Sequence, residues 1–251
     1  MPVNAQSTHP LLYNKGGIAS TLLVLALLLI GSCQRNNSAI PKAVFIIVDG
    51  IPADVIEKLD PPGLKQISAQ GGYTRAYVGG ERGGYTQTPT ISAVGYNSLL
   101  TGTWANKHNV WDNDIREPNY HYPNVFRLAE EYKPGLKTAI FSTWTDNRTK
   151  LIGEGLPEAG NIKLDYKFDG LELDTVAYPH DEHSGYIHRI DEAVADEAAR
   201  CIRENGPDLS WVYLEYTDDM AHRFGDSDEF YDAVRTADQQ IGRIWDAVSR
   251  R

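Results

Sequence analysis

The amino-acid sequence predicts an α/β fold, with a mostly parallel sheet and helices on both of its faces. Three short apolar runs rich in β-branched residues, at 43–48, 137–142 and 211–216, have the composition of strands that are buried on both sides. Segments with helical character lie between these runs, and alternation of strands and helices is typical of a parallel sheet. Acidic residues follow the first and the last run, at the edge where ligands bind in such folds.

Several segments have the apolar spacing or the bounding turn residues of helices. They lie at 53–59, before Gly71-Gly72, at 92–100, 123–132 and 187–202, and from about 229 onward. Pro123 stands in the first turn predicted for the fourth of these helices. Residues 187–202 repeat apolar side chains at intervals of three and four, which places Cys201 on a buried helix face. Between about 143 and 184 the periodicity fades and the pattern indicates loops.

Composition and charge exclude several classes of protein. The chain has 251 residues with 24 Lys and Arg against 34 Asp and Glu, for a formal net charge of −10, which opposes a nucleic-acid binder that works by neutralising phosphates. No repeat with a period of roughly 20 to 50 residues is visible, which excludes solenoids and propellers. Because Cys33 and Cys201 are the only cysteines, any metal must be held by oxygen and nitrogen ligands.

The N-terminal segment has the features of a secretory signal. Its apolar run at 22–30 is too short, at about 1.5 Å rise per residue, to cross the roughly 30 Å core of a bilayer. The sequence IGSC that ends at Cys33 resembles a bacterial lipobox. We therefore expect residues 1–33 to be a lipoprotein signal peptide ending at acylated Cys33, and 34–42 to be a tether to the membrane. The expected location is the bacterial cell envelope; a plain signal peptide and an uncleaved anchor are the alternatives.

Three pieces of the mature region carry residue types that suit metal-assisted chemistry. Asp49 follows the first strand, a hydroxyl-rich run enters a helix at Ser92, and Asp218 and His222 lie four residues apart after the last strand. Carboxylate oxygens and imidazole nitrogens suit Zn²⁺ or Mn²⁺, and a metal-bound hydroxyl at a helix N-terminus can ionise and attack. Taken singly, each piece also has an ordinary structural interpretation, as a turn, a helix N-cap or a surface pair.

Together, the order and spacing of these pieces resemble the alkaline phosphatase superfamily, and most closely its type I phosphodiesterase/nucleotide pyrophosphatase branch. The matching segments are VFIIVDG at 44–50, TISAVGYNSLLTGTWANKHNVWDN at 90–113 and YLEYTDDMAHRFG at 213–225. In that superfamily the nucleophile stands nine residues before the Thr of a Thr-Gly pair, which implies Ser92, with Thr90 as the alternative. The resemblance also implies that Asp218 and His222 bind one metal, and that Asp49 and Ser92 bind a second.

The resemblance implies a metal-dependent phosphoester hydrolase with an alkaline-phosphatase-like fold over residues 43–251. Two divalent metals, with Zn²⁺ expected, would assist a reaction through a covalent phosphoserine at Ser92. The partners would be a phosphorylated small molecule, either a nucleotide or another phosphodiester, and the membrane through the lipid anchor; nucleic acid is not expected.

Two departures from the family pattern qualify this expectation. The branch commonly has an Asn that helps hold the phosphoryl oxygen where this chain has Gly95, which leaves Asn97 as the candidate for that task. The family also completes its metal sites with an Asp-His-Gly strand end and a further His, and neither occurs between His222 and Arg251. We therefore expect the fold to be incomplete at the C-terminus.

Other interpretations stay open at this point. A phosphomonoesterase or a phosphonate hydrolase of the same superfamily fits the motifs, whereas a sulfatase is disfavoured because no Cys/Ser-x-Pro-x-Arg pattern begins at Ser92. From a different class, a non-catalytic, truncated surface lipoprotein would keep the fold to bind a ligand. The run His180-Asp181-Glu182-His183 looks like a metal cluster, but its polar surroundings before a helix favour solvated surface or a helix start over part of a substrate rim. The aromatic-rich region around His108 and His121 favours packing over a substrate pocket.

Overall fold

A parallel sheet of four strands organises the chain. In this computed structural model, Met1 and residues 41–251 are described, so the predicted signal peptide and Cys33 lie outside the described residues. The strands are β1 (Ala43–Val48), β2 (Thr138–Ser142), β3 (Tyr166–Phe168) and β4 (Leu209–Leu214). They stand in the order β1-β4-β2-β3, and every neighbouring pair is parallel. The predicted α/β class and the parallel sheet are therefore confirmed.

Helices connect the strands and cover the sheet. The α-helices are α1 (Ala53–Leu59), α2 (Pro62–Gln70), α3 (Ser92–Thr101), α4 (Ala105–His108), α5 (Val125–Tyr132), α6 (Gly185–Glu204), α7 (Tyr216–Phe224) and α8 (Asp228–Ser249). None of the helices that the structure describes combines the length and the apolar character needed to cross a bilayer. Cys201 is a free, buried residue of α6, as its place in the apolar stripe predicts.

Alternation along β4 divides the core into two layers. Trp211 and Tyr213 pack on one face with residues of α3 and α5, and the ring of Phe45 stacks on Trp211 with a centroid distance of 5.5 Å. Val212 and Leu214 pack on the other face with residues of α6 and α8. The helices on both faces bury the sheet completely along β4, which explains why its sequence is apolar without interruption.

Several sequence-based boundaries are wrong by a few residues. Pro123 lies before α5 rather than in its first turn, because the side chain of Asn124 caps the helix by accepting hydrogen bonds from the amides of Phe126 and Arg127. β4 ends at Leu214, so Glu215 follows the strand and Asp218 falls inside α7.

The stretch predicted to be loops also contains short regular elements. They are a π-helix at Asn147–Ile152, 3₁₀ turns at Pro157–Ala159 and Leu171–Leu173, and the edge strand β3. β3 has only three residues, and the burial pattern of this strand is intermediate, exposed, intermediate. Such a segment leaves no apolar signal long enough to recognise in the sequence.

Candidate active site

The carboxyl ends of β1 and β4 bring the two acidic motifs together. Val48 pairs with Leu214 across these parallel strands, so Asp49 and Glu215 leave the sheet side by side. Gly50, with a φ of +75°, turns the chain so tightly that a Cβ there would lie 2.6 Å from Cα of Asp218. Only glycine tolerates that combination, so Gly50 permits the contact between the Asp49 turn and the first turn of α7.

Asp49 is the centre of a hydrogen-bond network at this edge. Its Oδ1 accepts from the Gly50 amide at 2.9 Å, and its Oδ2 accepts from the hydroxyl of Ser92 at 2.9 Å. The phenol of Tyr96, one helical turn after Ser92, donates to the same Oδ2. Burial and the adjacent Asp49 carboxylate hold the pKa of Tyr96 far above its usual value, so this phenol remains a donor. The network orients the Ser92 hydroxyl toward a carboxylate.

Ser92 is the first residue of α3 and does not act as the helix cap. The cap position belongs to Ile91, which makes no side-chain cap hydrogen bond. The amide of Ala93 donates to Oδ1 of Asn113 at 3.0 Å, so Asn113 lies against the start of the helix. Thr90, the alternative nucleophile, is exposed and precedes the helix. The N-terminus of a helix favours bound anions, which makes the position of Ser92 suitable for contact with a phosphoryl group.

Asp218 and His222 lie one turn apart on α7. Oδ1 of Asp218 and Nε2 of His222 are 3.5 Å apart, and the imidazole is 80% exposed while the carboxylate is 26% exposed. Burial, and then the charge of Asp49, raise the pKa of Asp218 to about 6. Glu215 shows a stronger effect, since burial and the neighbouring Asp191, Asp218 and Asp49 raise its pKa to about 8. Carboxyl groups are therefore crowded at this edge, and their burial and proximity disfavour the ionised forms of Glu215 and Asp218.

The donor set fits divalent cations only in part. Among the residues that the structure describes, no three His, Cys, Asp or Glu side chains stand close enough to enclose a metal ion. Asp49 and Asp218 nevertheless converge without a Lys or Arg partner in residues 41–251, and His222 is the basic group nearest to Asp218. Oxygen and imidazole ligands around uncompensated negative charge are what a Zn²⁺ or similar ion requires. These residues supply two partial ligand sets.

The other predicted residues lie in different settings. Asn97 is 4% exposed within α3, and five helical residues rotate it away from the face that Ser92 and Tyr96 share. His108 is fully buried, and burial lowers its pKa to about 4. Its Nδ1 accepts from the Val110 amide and its Nε2 lies 3.0 Å from the Ser98 hydroxyl, so packing is the confirmed interpretation.

The acidic and histidine-rich run before α6 forms the start of that helix, as predicted. The carboxylate of Asp181 accepts hydrogen bonds from the amides of His183, Gly185 and Tyr186. The ring of His180 stacks on Tyr186 with a centroid distance of 4.2 Å. The run therefore caps a helix.

Three residues of the candidate active site were not identified from the sequence. Tyr96 was detectable, since it lies one helical turn after the predicted nucleophile. Glu215 was hidden because β4 was predicted to run through it. Asn113 lies 20 residues from its partner Ala93, and no local pattern connects them.

Comparisons with known proteins identify the family of this chain and proteins with a similar fold. A sequence model of the family described as type I phosphodiesterase / nucleotide pyrophosphatase matches residues 43–251. The phosphonoacetate hydrolase from Sinorhizobium meliloti 1021 in complex with phosphonoformate is similar in structure, with a TM-score of 0.58 and 15% identity over 83% of this chain and 54% of that chain. An inactive form of murine ectonucleotide pyrophosphatase / phosphodiesterase 5 in complex with AMP gives a TM-score of 0.51 and 14% identity over 84% and 53%.

These likenesses concern the fold, and the chain spans about half the length of each solved structure. No curated protein matches the chain.

Proposed function

Since the chain belongs to the type I phosphodiesterase / nucleotide pyrophosphatase family, we propose that it hydrolyses phosphodiester or pyrophosphate bonds of small phosphorylated molecules. The observation that carries the proposal is the contact of the Ser92 hydroxyl with Oδ2 of Asp49 at 2.9 Å, at the N-terminus of α3. A hydroxyl oriented by a carboxylate, at a place that attracts anions, has the requirements of a nucleophile for phosphoryl transfer.

The proposed reaction requires two divalent metals, and Zn²⁺ is the expected one. Asp218 and His222 would hold one metal, and Asp49 with Ser92 would hold the other. The support is the chemistry of these donors and the crowding of carboxyl groups around Glu215 and Asp218, which raises their pKa values and which a bound cation would relieve. When bound, the metals would supply positive charge for the phosphoryl oxygens and favour the ionised form of the hydroxyl.

The chain's own residues would perform the remaining steps. Ser92 Oγ gives its proton to solvent and attacks phosphorus in line, so that a bond from Oγ to phosphorus forms while the bond to the leaving oxygen breaks. The leaving oxygen departs as an anion and takes up a proton from solvent if its pKa requires one. Tyr96 keeps its proton and holds Oδ2 of Asp49 in place. The oxygen of a water molecule then bonds to phosphorus as the bond from phosphorus to Oγ breaks, and a proton from that water restores the Ser92 hydroxyl as the phosphorylated product leaves.

Asn113 is proposed to help bind the phosphoryl group. Its Oδ1 is occupied by the amide of Ala93 at 3.0 Å, which leaves its NH₂ group available as a donor beside Ser92. Asn113 would therefore hold the phosphoryl oxygen, a role for which the sequence offered Asn97 as the candidate. We expect Asn113→Ala to raise KM more than Asn97→Ala.

The family and the structural neighbours support this substrate class. The murine neighbour is in complex with AMP, and the bacterial neighbour is in complex with phosphonoformate or with phosphonoacetate. A nucleotide or another phosphodiester is therefore the proposed substrate. A phosphomonoester, a phosphonate or binding without turnover are the competing outcomes of the test below.

The test is a panel of bis-aryl phosphate, mono-aryl phosphate and aryl phosphonate, assayed with and without Zn²⁺. We expect the diester to be the best substrate, and Ser92→Ala to lower turnover on the order of 10³-fold or more while zinc stays bound at Asp218 and His222. Thr90→Ala is the matched control and should stay active. Rapid acid quench and mass spectrometry should place the phosphoryl group on Ser92.

Retained activity in Ser92→Ala would contradict the mechanism, and a loss in Thr90→Ala instead would move the nucleophile to Thr90. Equal ligand affinity with and without metal, and no turnover, would support the non-catalytic alternative.

We also propose that the protein is anchored in the bacterial envelope by lipid on Cys33. The support is the lipobox-like sequence that ends at this cysteine. The intact mass of the mature protein released from membranes should include the lipid on a chain that begins at Cys33. The Cys33→Ser variant should no longer be found in the membrane fraction. If the variant stays in that fraction with residues 1–33 uncleaved, the N-terminal segment is an uncleaved anchor.

A further inference from the structure

Asp191 is a buried carboxylate of α6 that the proposed reaction does not use. It is 1% exposed. Its Oδ1 accepts from the hydroxyl of Thr143 at 2.5 Å and from the amide of Glu215 at 3.1 Å, and its Oδ2 accepts from the amide of Tyr216 at 2.9 Å. Burying a carboxylate without a cation is costly unless hydrogen bonds replace its water, and here they do.

Two of these donors belong to the junction between β4 and α7. The first amides of a helix have no partner inside the helix, and Glu215, at the cap position of α7, makes no side-chain cap hydrogen bond. Asp191 supplies the missing acceptor from a different helix, 25 residues earlier in the chain than Tyr216. The start of α7 is therefore held in place by α6, and through Thr143 by the residue that follows β2.

We propose that Asp191 is a positioning residue for the phosphoesterase site. By anchoring the first residues of α7, it sets where Asp218 and His222 stand relative to Asp49. A helix moves as a rigid body, so a shift at its first turn carries both side chains with it. This inference rests on the proposed function for its catalytic consequence, whereas the anchoring itself can be tested without any substrate.

A second buried carboxylate in the chain provides a matched control for the anchoring of α7 by Asp191. Asp238 of α8 is 4% exposed, and its carboxylate accepts from the amides of Gly63 at 2.8 Å and Leu64 at 2.7 Å, at the start of α2. α2 carries none of the proposed site residues. Replacing Asp238 thus removes the same type of long-range cap without touching the end of the sheet where Ser92 lies.

The experiment compares Asp191→Asn with Asp238→Asn in the full chain. Asparagine keeps the size of the side chain, but its NH₂ group cannot accept the amide hydrogen bond that one carboxylate oxygen accepts. We expect Asp191→Asn to weaken Zn²⁺ binding by about 10-fold or more, measured by competition with a chromophoric chelator. It should also alter the visible spectrum of the Co²⁺ form. Asp238→Asn should change neither, although both variants lose stability.

Hydrogen exchange measures the anchoring without metal. In Asp191→Asn the peptide that covers α7 should lose protection selectively, whereas in Asp238→Asn the loss should fall on α2. Thr143→Val is a milder variant that removes one donor to Asp191, and it should produce a smaller change in the same direction. Thr143→Ser retains the hydroxyl and should restore wild-type behaviour.

These experiments test the positioning role of Asp191 separately from the proposed phosphoesterase function. Should Asp191→Asn match Asp238→Asn in both Zn²⁺ affinity and α7 exchange, the positioning role would be refuted. If the unsubstituted chain binds no metal, the proposed function fails, and the exchange data alone decide whether Asp191 anchors α7.

Discussion

The two edges of the same sheet handle acidic residues in opposite ways. At the amino edge, the carboxylate of Asp208 pairs with Lys42 at 2.7 Å and accepts from the amide of Lys137 at 2.8 Å. The pKa of Asp208 is lowered, because these donors outweigh the effect of burial. Asp165 pairs with Lys137 at 2.7 Å at the same edge. The amino edge is thus electrostatically balanced within the chain.

At the carboxyl ends of β1 and β4, Asp49, Glu215 and Asp218 have no Lys or Arg partner among the described residues, whereas Asp169 after β3 pairs with Arg148 at 2.6 Å. Burial and neighbouring carboxylates raise the pKa of both Glu215 and Asp218, and His222 is the basic group close to Asp218. Folding alone does not require this concentration of carboxyl groups, whose ionisation destabilises the metal-free chain. Groups with pKa values perturbed in this way concentrate at functional sites. Under the proposed function, the amino edge serves the fold, and the carboxyl ends of β1 and β4 would serve an external cation and substrate.

The largest expected effect comes from removing charge at the carboxyl edge. Asp49→Asn keeps the shape of the side chain but weakens its interaction with a cation, so we expect zinc to be lost and turnover to fall on the order of 10³-fold. In the metal-free chain the same change removes a negative charge close to Asp218, which offsets part of the cost of weakening the hydrogen bonds from Ser92 and Tyr96, so the loss of stability should be small. Zinc analysis, steady-state kinetics and urea unfolding measure these effects. Asp208→Asn at the amino edge is the control and should lower the free energy of unfolding more, because it breaks an ion pair; an equal loss of stability in the two variants would contradict the contrast.

The next effect is on the pH dependence of stability. The folded-state pKa values of Glu215, about 8, and Asp218, about 6, lie above the ordinary values of 4.5 and 3.8. The folded chain therefore binds more protons, so their stabilisation is complete at low pH and is lost as pH rises through about 4 to 8. Metal-free chain should lose on the order of 2 kcal/mol of unfolding free energy between about pH 5 and pH 8.

Urea unfolding in the presence of a chelator measures this loss, and added Zn²⁺ should reduce it. The lowered pKa of Asp208 has the opposite sign, since its contribution is lost as pH falls below its ordinary value of 3.8. A metal-free chain whose stability rises from pH 5 to pH 8 would argue against an unbalanced carboxyl edge.

A smaller effect is expected from the phenol that holds Asp49. Tyr96→Phe removes a hydrogen bond to a carboxylate but leaves the ring and its packing, so kcat/KM should fall about 10-fold, or roughly 1.4 kcal/mol. Tyr213→Phe is the control, because its hydroxyl lies 3.1 Å from that of Tyr96 and does not contact Asp49. Equal losses of kcat/KM in the two variants would show that the hydrogen bond from Tyr96 to Asp49 has no specific effect on the reaction.

The smallest effect is expected at the amino edge. Lys42→Met removes the ion pair with Asp208, in which the lysine side chain is 40% exposed. Exposed pairs contribute little, so the thermal midpoint should fall by about 1–3 °C and the kinetics should not change. Calorimetry and the diester assay measure the two quantities. A change in kcat would show that the two edges are coupled.

Much of the fold was predictable because its signals are local. The runs that form β1, β2 and β4 are apolar without alternation, since both of their faces are covered. The helices α6 and α8 repeat apolar residues at intervals that match one helix face. Asp49 and the Asp218 motif could be placed near each other because the carboxyl ends of parallel strands share one edge, whereas Ser92 was joined to Asp49 only through the resemblance to the family.

The remainder depends on contacts between distant parts of the chain. β3 exists because Ala139 and Phe141 of β2 offer it a pairing edge, and its own three residues carry no signal. Asp191 is one of several acids along α6, and only its approach to the amide of Glu215, 24 residues away, distinguishes it. Tertiary contacts of this kind leave no periodicity in the sequence.

The sequence by itself determined the strand–helix alternation, the parallel sheet and the residue types that suit phosphoryl chemistry, because apolar periodicity and motif spacing are encoded along the chain. Only the tertiary structure decided which acids remain without a cation, that Tyr96 contacts Asp49, and that a carboxylate of α6 caps α7. The physical reason is that a pKa and a hydrogen bond depend on distance and burial in space, and these are set when separate elements pack together.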